Sequence, residues 1–380
     1  MDGVFITEVE ADGGGIRLAV KDLFDTAGVR TTYGSAVFRD HVPDTTAEAV
    51  ACLEAAGYVN VGKANLHEFA WGITSENPHY GRAPNPLAPD RIAGGSSGGS
   101  AAALAAGLAD AAIGSDSGGS IRIPAACCGV TGFKPTFGLV PIGGCFPLAP
   151  SFDHAGPMAR DVDGCAAMMP AFVPGFDVAD LSDLAELDVG IAWTDRADPV
   201  VRARVERAAA LFPRSRPVDL PLPEGVAPQF EREAAEVHAE LWRDHRDLYG
   251  ENVAIKIGRA MEVSDAQANA AGRARELYGE QMADRMAGLD LIVTPTLMMV
   301  APHAGIGDLA LRGRVILLTF PWNAIGAPAL ALPCGPAEDG LPASIQLVGR
   351  PGDDGLVLAA GALLERAIRI ATAGPHGLDW

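Results

Sequence analysis

The first half of the chain alternates two hydrophobic periods. Residues 16–20 form a short apolar run that predicts a strand ending at Lys21. Residues 44–48 open a helical pattern in which Val50, Leu53 and Ala56 share a face, and Gly57 closes it. Residues 58–62 predict the next strand, 100–107 an Ala-rich helix and 109–114 a returning strand. After Arg160 the pattern loosens. Residues 189–194 read as a strand, and 199–212, 229–249 and 266–286 as helices, the last two highly charged. Residues 289–293 form a strand closed by Pro295; 329–333 and 343–348 follow as strands and 355–367 as a closing helix.

Alternating strands and helices imply an α/β fold, with a large twisted, mostly parallel mixed sheet covered by helices on both faces as a single α/β/α domain. No internal repeat or long polar linker divides the chain, and strands flank the acidic, loop-like stretch 175–187. The expectation is one domain over 1–380 with a variable helical insertion at about 170–285.

Composition narrows the function. Apolar residues make up 48% of the chain, enough for a large core. Lys and Arg number 29 against 48 Asp and Glu, a net charge of −19. That balance argues against direct nucleic-acid binding, which needs clustered positive charge. It argues equally against docking on an anionic membrane. The N-terminus is acidic and has no apolar core of a signal peptide. The uncharged stretches 92–109 and 135–152 are broken by Gly, Ser or Pro, so neither reads as a membrane span. Six cysteines show neither a CxxC pair nor metal spacing, and fit small buried hydrophobes in a reducing cytoplasm. No metal or cofactor is called for.

The informative segment runs from Ile92 to Thr136. It contains Gly94-Gly95-Ser96-Ser97-Gly98-Gly99-Ser100 and Gly114-Ser115-Asp116-Ser117-Gly118-Gly119-Ser120-Ile121-Arg122. Glycines let backbone approach a ligand, and consecutive N–H groups make an anion-binding nest. A serine at the end of such a nest has its oxygen beside donors suited to a developing oxyanion. The flanking apolar strand and Ala-rich helix argue against a flexible linker. The segment lacks the lysine of a phosphate loop. It is also not a G-x-S-x-G nucleophile elbow, since Ile-Arg-Ile follows Ser120. None of the eight histidines sits in a motif that marks a base. Lys21, at the end of its strand, is the alternative: a desolvated lysine becomes a neutral base.

Gly94–Thr136 resembles the signature of the amidase signature family of serine hydrolases. The likeness continues in Leu18-Ala-Val-Lys21-Asp22, in Val61-Gly-Lys-Ala-Asn65, and in Thr74-Ser-Glu-Asn77. It extends through Ser151-Phe-Asp-His-Ala-Gly-Pro157, Val293-Thr-Pro295 and Ala343-Ser-Ile-Gln-Leu-Val-Gly-Arg350. It covers most of 16–165 and 289–366, and weakens over 170–285.

The resemblance implies a catalytic triad of Ser120 as nucleophile, Ser96 on a cis peptide as relay, and Lys21 as base. It implies an oxyanion hole from the backbone amides of Ser117, Gly118, Gly119 and Ser120. Ser97, Asp116 and Arg122 would support it, and Lys63 and Lys134 would be structural. The lysine strand comes several tens of residues earlier than is usual in the family, and the centre is short. Those departures bear on assembly and on the pocket walls.

The implied activity is hydrolysis of a small carboxylic or ureido-type amide through an acyl-enzyme, with a homodimer as the candidate assembly. Two alternatives stay open: the amidase subunit of a tRNA-dependent amidotransferase, or a non-catalytic binding protein. Phe146, Trp71, Phe320, Trp322 and Met158 are candidates for an apolar acyl pocket.

Overall fold

Side-chain alternation along two short strands shows how the sheet is buried. The computed structural model describes residues 1–10 and 14–373. In β2 (Ile16–Lys21), Leu18 and Val20 join one hydrophobic cluster while Ala19 joins another. In β6 (Ala111–Asp116), Ala111 and Ile113 face the first cluster and Ala112 the second. Successive residues of a strand point to opposite faces, so both faces of the sheet are covered. The face lined by small residues holds α2 (Gly98–Ala105) and α3 (Arg122–Cys128), which pack on each other. The opposite face holds α1 (Glu48–Ala55), α4 (Val162–Phe172) and α11 (Asp354–Ala373).

The other strands are β1 (Phe5–Glu8), β3 (Tyr58–Ala64), β7 (Thr131–Lys134), β8 (His154–Ala159), β9 (Val189–Ile191), β10 (Ser215–Pro217), β11 (Leu291–Pro295), β12 (Ala329–Pro336) and β13 (Pro342–Val348). β4 (Glu76–Asn77) and β5 (Gly81–Arg82) form a separate hairpin. The main sheet has eleven strands in the order β1-β3-β2-β6-β8-β7-β12-β13-β11-β9-β10. It is the expected large mixed sheet with helices around it. Parallel pairing is concentrated in two blocks, β3-β2-β6 and β11-β9-β10. Antiparallel strands join the blocks through β8, β7, β12 and β13. Strands from near residue 5 and near residue 348 thus share one sheet, and β9 and β10 extend it from within the stretch expected to be a helical insertion.

That stretch also supplies α5 (Pro199–Ala209), α6 (Ala227–His245), α7 (Glu251–Ala260) and α8 (Asp265–Arg285). Arg275 of α8 anchors them to the sheet side. Its guanidinium lies 3.9 Å over the Phe152 ring and donates to Ser151 Oγ, Ser151 O and Ala324 O. Two short helices follow β11, α9 (Asp308–Val315) and α10 (Phe320–Ala324).

Local signals explain where pattern and structure differ. α1 begins at Glu48, with Ala47 in the capping position, rather than at Asp44. The nearby Thr46 hydroxyl accepts instead from Ala27 N. α3 has every residue buried and carries Pro124 near its start, so it has no amphipathic period to detect. Among the described residues, no helix is long and apolar enough to cross a membrane.

Gly99 sets how closely α2 approaches β3. A Cβ there would lie 2.4 Å from Asn65 N and 2.6 Å from Val4 O, both unyielding backbone. Gly258, inside α7, faces open space. Gly99→Ala is expected to cost about 3 kcal/mol by overpacking. Gly258→Ala is expected to stabilise by about 0.5–1 kcal/mol through helix propensity. Chemical denaturation of the two variants checks the opposite signs.

Candidate active site

Two strand ends and two glycine-rich turns converge. Lys21 is the last residue of β2 and Asp116 the last of β6, its parallel neighbour. Clefts of open α/β sheets form at such carboxyl ends. α2 begins just after Ser96 and Ser97, and α3 just after Ser120 and Ile121, so both serine turns sit at these ends.

The Lys21 ammonium is fully buried and donates to Ser96 Oγ and Ser115 Oγ, each at 2.7 Å. Burial lowers its pKa to about 7, against the pull of Cys145, Asp116 and Asp153. Ser115 stood in the sequence as part of a motif; only the fold shows it as the second partner of Lys21. The Gly95–Ser96 peptide is cis. The Ser96 carbonyl is held by His67 N and Ser75 Oγ, each at 3.1 Å. Ser97 links the two turns, donating from N to Ser120 O and from Oγ to Ser115 O.

Asp116 organises the second turn. Its Oδ1 accepts from Gly119 N at 2.7 Å, Arg122 Nη2 at 2.8 Å and Asn323 Nδ2 at 2.9 Å. Its Oδ2 accepts from Ile121 N and Arg122 Nε. Burial alone would raise this carboxyl, but the Arg122 guanidinium holds it well below the usual range. Arg122 spends its remaining donors on Thr319 O, Gln346 Oε1 and Asn323 Oδ1. Thr319 Oγ1 in turn donates to Gly118 O. Asp153 accepts from Ser117 Oγ at 2.5 Å. Asp153 and Gln346 lie in sequence blocks that carry the resemblance, but their contacts with the turn did not show there; Thr319 and Asn323 carried no sequence signal, because each contributes from a distant segment.

One implied role needs correction. Gly119 N–H is already donated to Asp116, so it is not a free oxyanion donor. Gly119 serves the turn by its shape: its φ is +128°, and a Cβ would meet Thr319 Oγ1 at 2.3 Å. The amides of Ser117, Gly118 and Ser120 have no acceptor among the described residues. These three residues line a small chamber, and Gly119 does not.

That chamber, of about 20 Å³, adjoins a cleft of about 420 Å³. The two share Trp71, Phe230, Arg312, Ile316 and Phe320 as walls. Of the aromatic candidates, Trp71 and Phe320 are therefore in place. Phe146 lines a separate small cavity behind Ser117 and Asp153. Trp322 and Met158 are corrections: both are fully buried, Trp322 packed against the tilted ring of Trp193 and Met158 under α2, so neither reaches the cleft. Phe230 and Ile316 were missed because α6 and the end of α9 approach the site only in the folded chain. Lys63 is buried, donating to Phe24 O, Thr26 Oγ1 and Thr31 Oγ1; Lys134 donates to Pro135 O.

Removing Arg122 leaves Asp116 buried and uncompensated. Arg122→Met is expected to cost about 3–5 kcal/mol, read as a fall in urea midpoint against the parent protein.

The sequence model of the family described as Amidase matches residues 14–212 and 231–358. The chain is 37% identical over 383 residues to the AtzE component of 1-carboxybiuret hydrolase from Pseudomonas sp. (strain ADP), covering 92% of this chain and 83% of that protein. It is 35% identical over 415 residues to a glutamyl-tRNA(Gln) amidotransferase subunit of Anaeromyxobacter sp. (strain K), covering 95% and 84%. A solved structure described as the crystal structure of amidase superposes with a TM-score of 0.86 at 35% identity, over 93% of this chain and 84% of that one.

Proposed function

We propose that this chain, which belongs to the amidase family and is an amide hydrolase, cleaves a small carboxylic or ureido-type amide through an acyl-enzyme on Ser120. The observation that carries the reading is the buried Lys21, its pKa lowered to about 7, hydrogen-bonded to Ser96 and to Ser115, which leads into the chamber-lining Ser120 turn.

Ser120 Oγ attacks the amide carbon, and its proton passes through Ser96 Oγ to neutral Lys21. The oxyanion is met by the free amides of Ser117, Gly118 and Ser120. The relay then returns the proton to the leaving nitrogen, which departs as ammonia or amine. Water attacks the acyl-enzyme by the same route. Asp116 and Arg122 keep the turn in shape, and Ser97 spaces the two serines. One domain, a homodimer and a reducing cytoplasm complete the proposal; six free cysteines support the last.

The 35% identity to an amidotransferase subunit favours a second reading, in which the chain hydrolyses its amide only together with a partner. Ammonia release from simple amides by the isolated chain supports the first reading. Release that requires a copurifying partner supports the second.

Two measurements test the mechanism. Ser120→Ala is expected to lower kcat by about 10³-fold or more; near-native turnover would sink the assignment. The pH dependence of kcat/KM is expected to rise through pH 7 and level off above it. The sign follows because a base works only when deprotonated. A profile flat from about pH 5.5 to 9 excludes Lys21 as the base.

A further inference from the structure

Among the described residues, Arg312 is the one basic side chain lining both the cleft and the chamber that also holds Ser120. It sits on α9, half-buried, and its guanidinium makes no hydrogen bond or ion pair among the described residues. Burial lowers its proton affinity, while Asp308 and Glu231 attract it only at a distance. Asp308 is otherwise engaged, ion-paired to Lys256 and accepting from Ile73 N at 2.6 Å. Lys256, also in the cleft wall, is spent on Asp308 and on Trp71 O at 2.6 Å. These contacts strap the loop carrying Trp71 to α7 and α9.

The fold satisfies its other recessed guanidinium groups. Arg122 meets a carboxylate in bidentate fashion and three further acceptors. Arg275 has three acceptors and an aromatic face. A recessed charge left without a partner is costly, and a bound anion offsets that cost. A guanidinium is a planar fork that matches a carboxylate. The net charge of −19 repels anions at long range, so the attraction has to be local. The chamber is small, so a group at Arg312 and a carbonyl at Ser120 belong to one short molecule.

We infer that Arg312 determines specificity by binding a carboxylate on the substrate, so that the preferred substrates are short amides carrying a carboxylate a few bonds from the scissile carbonyl. The inference rests on the amidase reading above for its substrate, and on the geometry of the cleft for its anion.

The test compares matched pairs: malonamate with 3-methylbutanamide, and succinamate with 4-methylpentanamide. Ammonia release gives kcat/KM for each. The parent protein is expected to favour at least one carboxylated member by about 30-fold or more, the size of a charge-assisted hydrogen bond. In Arg312→Gln that ratio falls to within about threefold, mostly through KM, and in Arg312→Lys it is partly kept. A ratio measured within one preparation is unaffected by how much of the variant is folded.

A second arm needs no turnover: calorimetric titration of malonamate and succinamate into Ser120→Ala, with and without Arg312→Gln. Binding of either that disappears with Arg312 supports the inference. Hydrolysis of neutral amides with no carboxylate preference, or a preference unchanged in Arg312→Gln, overturns the inference and leaves the amidase reading standing. Binding through Arg312 with no ammonia from any amide overturns the amidase reading alone. Neither binding nor preference overturns the inference.

Discussion

The buried pair of Asp116 and Arg122 is the constraint on which the site depends. One carboxylate takes two backbone amides from the Ser117–Ile121 turn, two guanidinium donors and an asparagine. The same guanidinium reaches the turn before α10, α10 itself and β13. The conformation of the Ser120 turn is thereby tied to segments about 200 residues away in the chain. Two charges taken out of water are expensive unless every remaining donor and acceptor is used. Here they are, and the turn has one shape as a result.

Lys21 shows the opposite treatment of a buried charge. It receives two hydroxyl acceptors and, among the described residues, no carboxylate within ion-pairing distance. Desolvation therefore outweighs the attraction of Asp116 and Asp153, and the amine sits near pH 7. Lys63, on the neighbouring strand β3, is equally buried but has Asp22 at 3.9 Å and three oxygen acceptors. Similar lysines on adjacent strands thus carry different environments. Of the two, Lys21 alone points toward the serine turns.

Much of the fold was legible because periodicity survives wherever an element has one buried face. β2, β3, α5, α6 and α8 lie within a few residues of their expected positions. α3, wholly buried, has no such period; α4 buries Val162, Cys165, Met168, Met169 and Phe172 along one face and was still not legible as a helix. The antiparallel centre of the sheet was not legible either. Strand direction depends on which strand lies alongside, and the centre joins two local pairs, β7 with β8 and β12 with β13, that are far apart in the chain. For the site, the glycine-serine turns and the lysine strand stood out as a motif. Gly119 was assigned a donor role that Asp116 already occupies.

What the sequence by itself determined is the local chemistry: two serine turns whose glycines permit close backbone approach, and a lysine ending an apolar strand. Those properties reside in a few consecutive residues. The tertiary structure alone decided which groups surround them. It set Ser115 beside Lys21, locked Gly118 with Thr319, and closed the cleft with Phe230 and Arg312. The reason is physical: desolvation, ion pairing and cavity shape depend on atoms brought together from distant parts of the chain, and no local pattern encodes their separation.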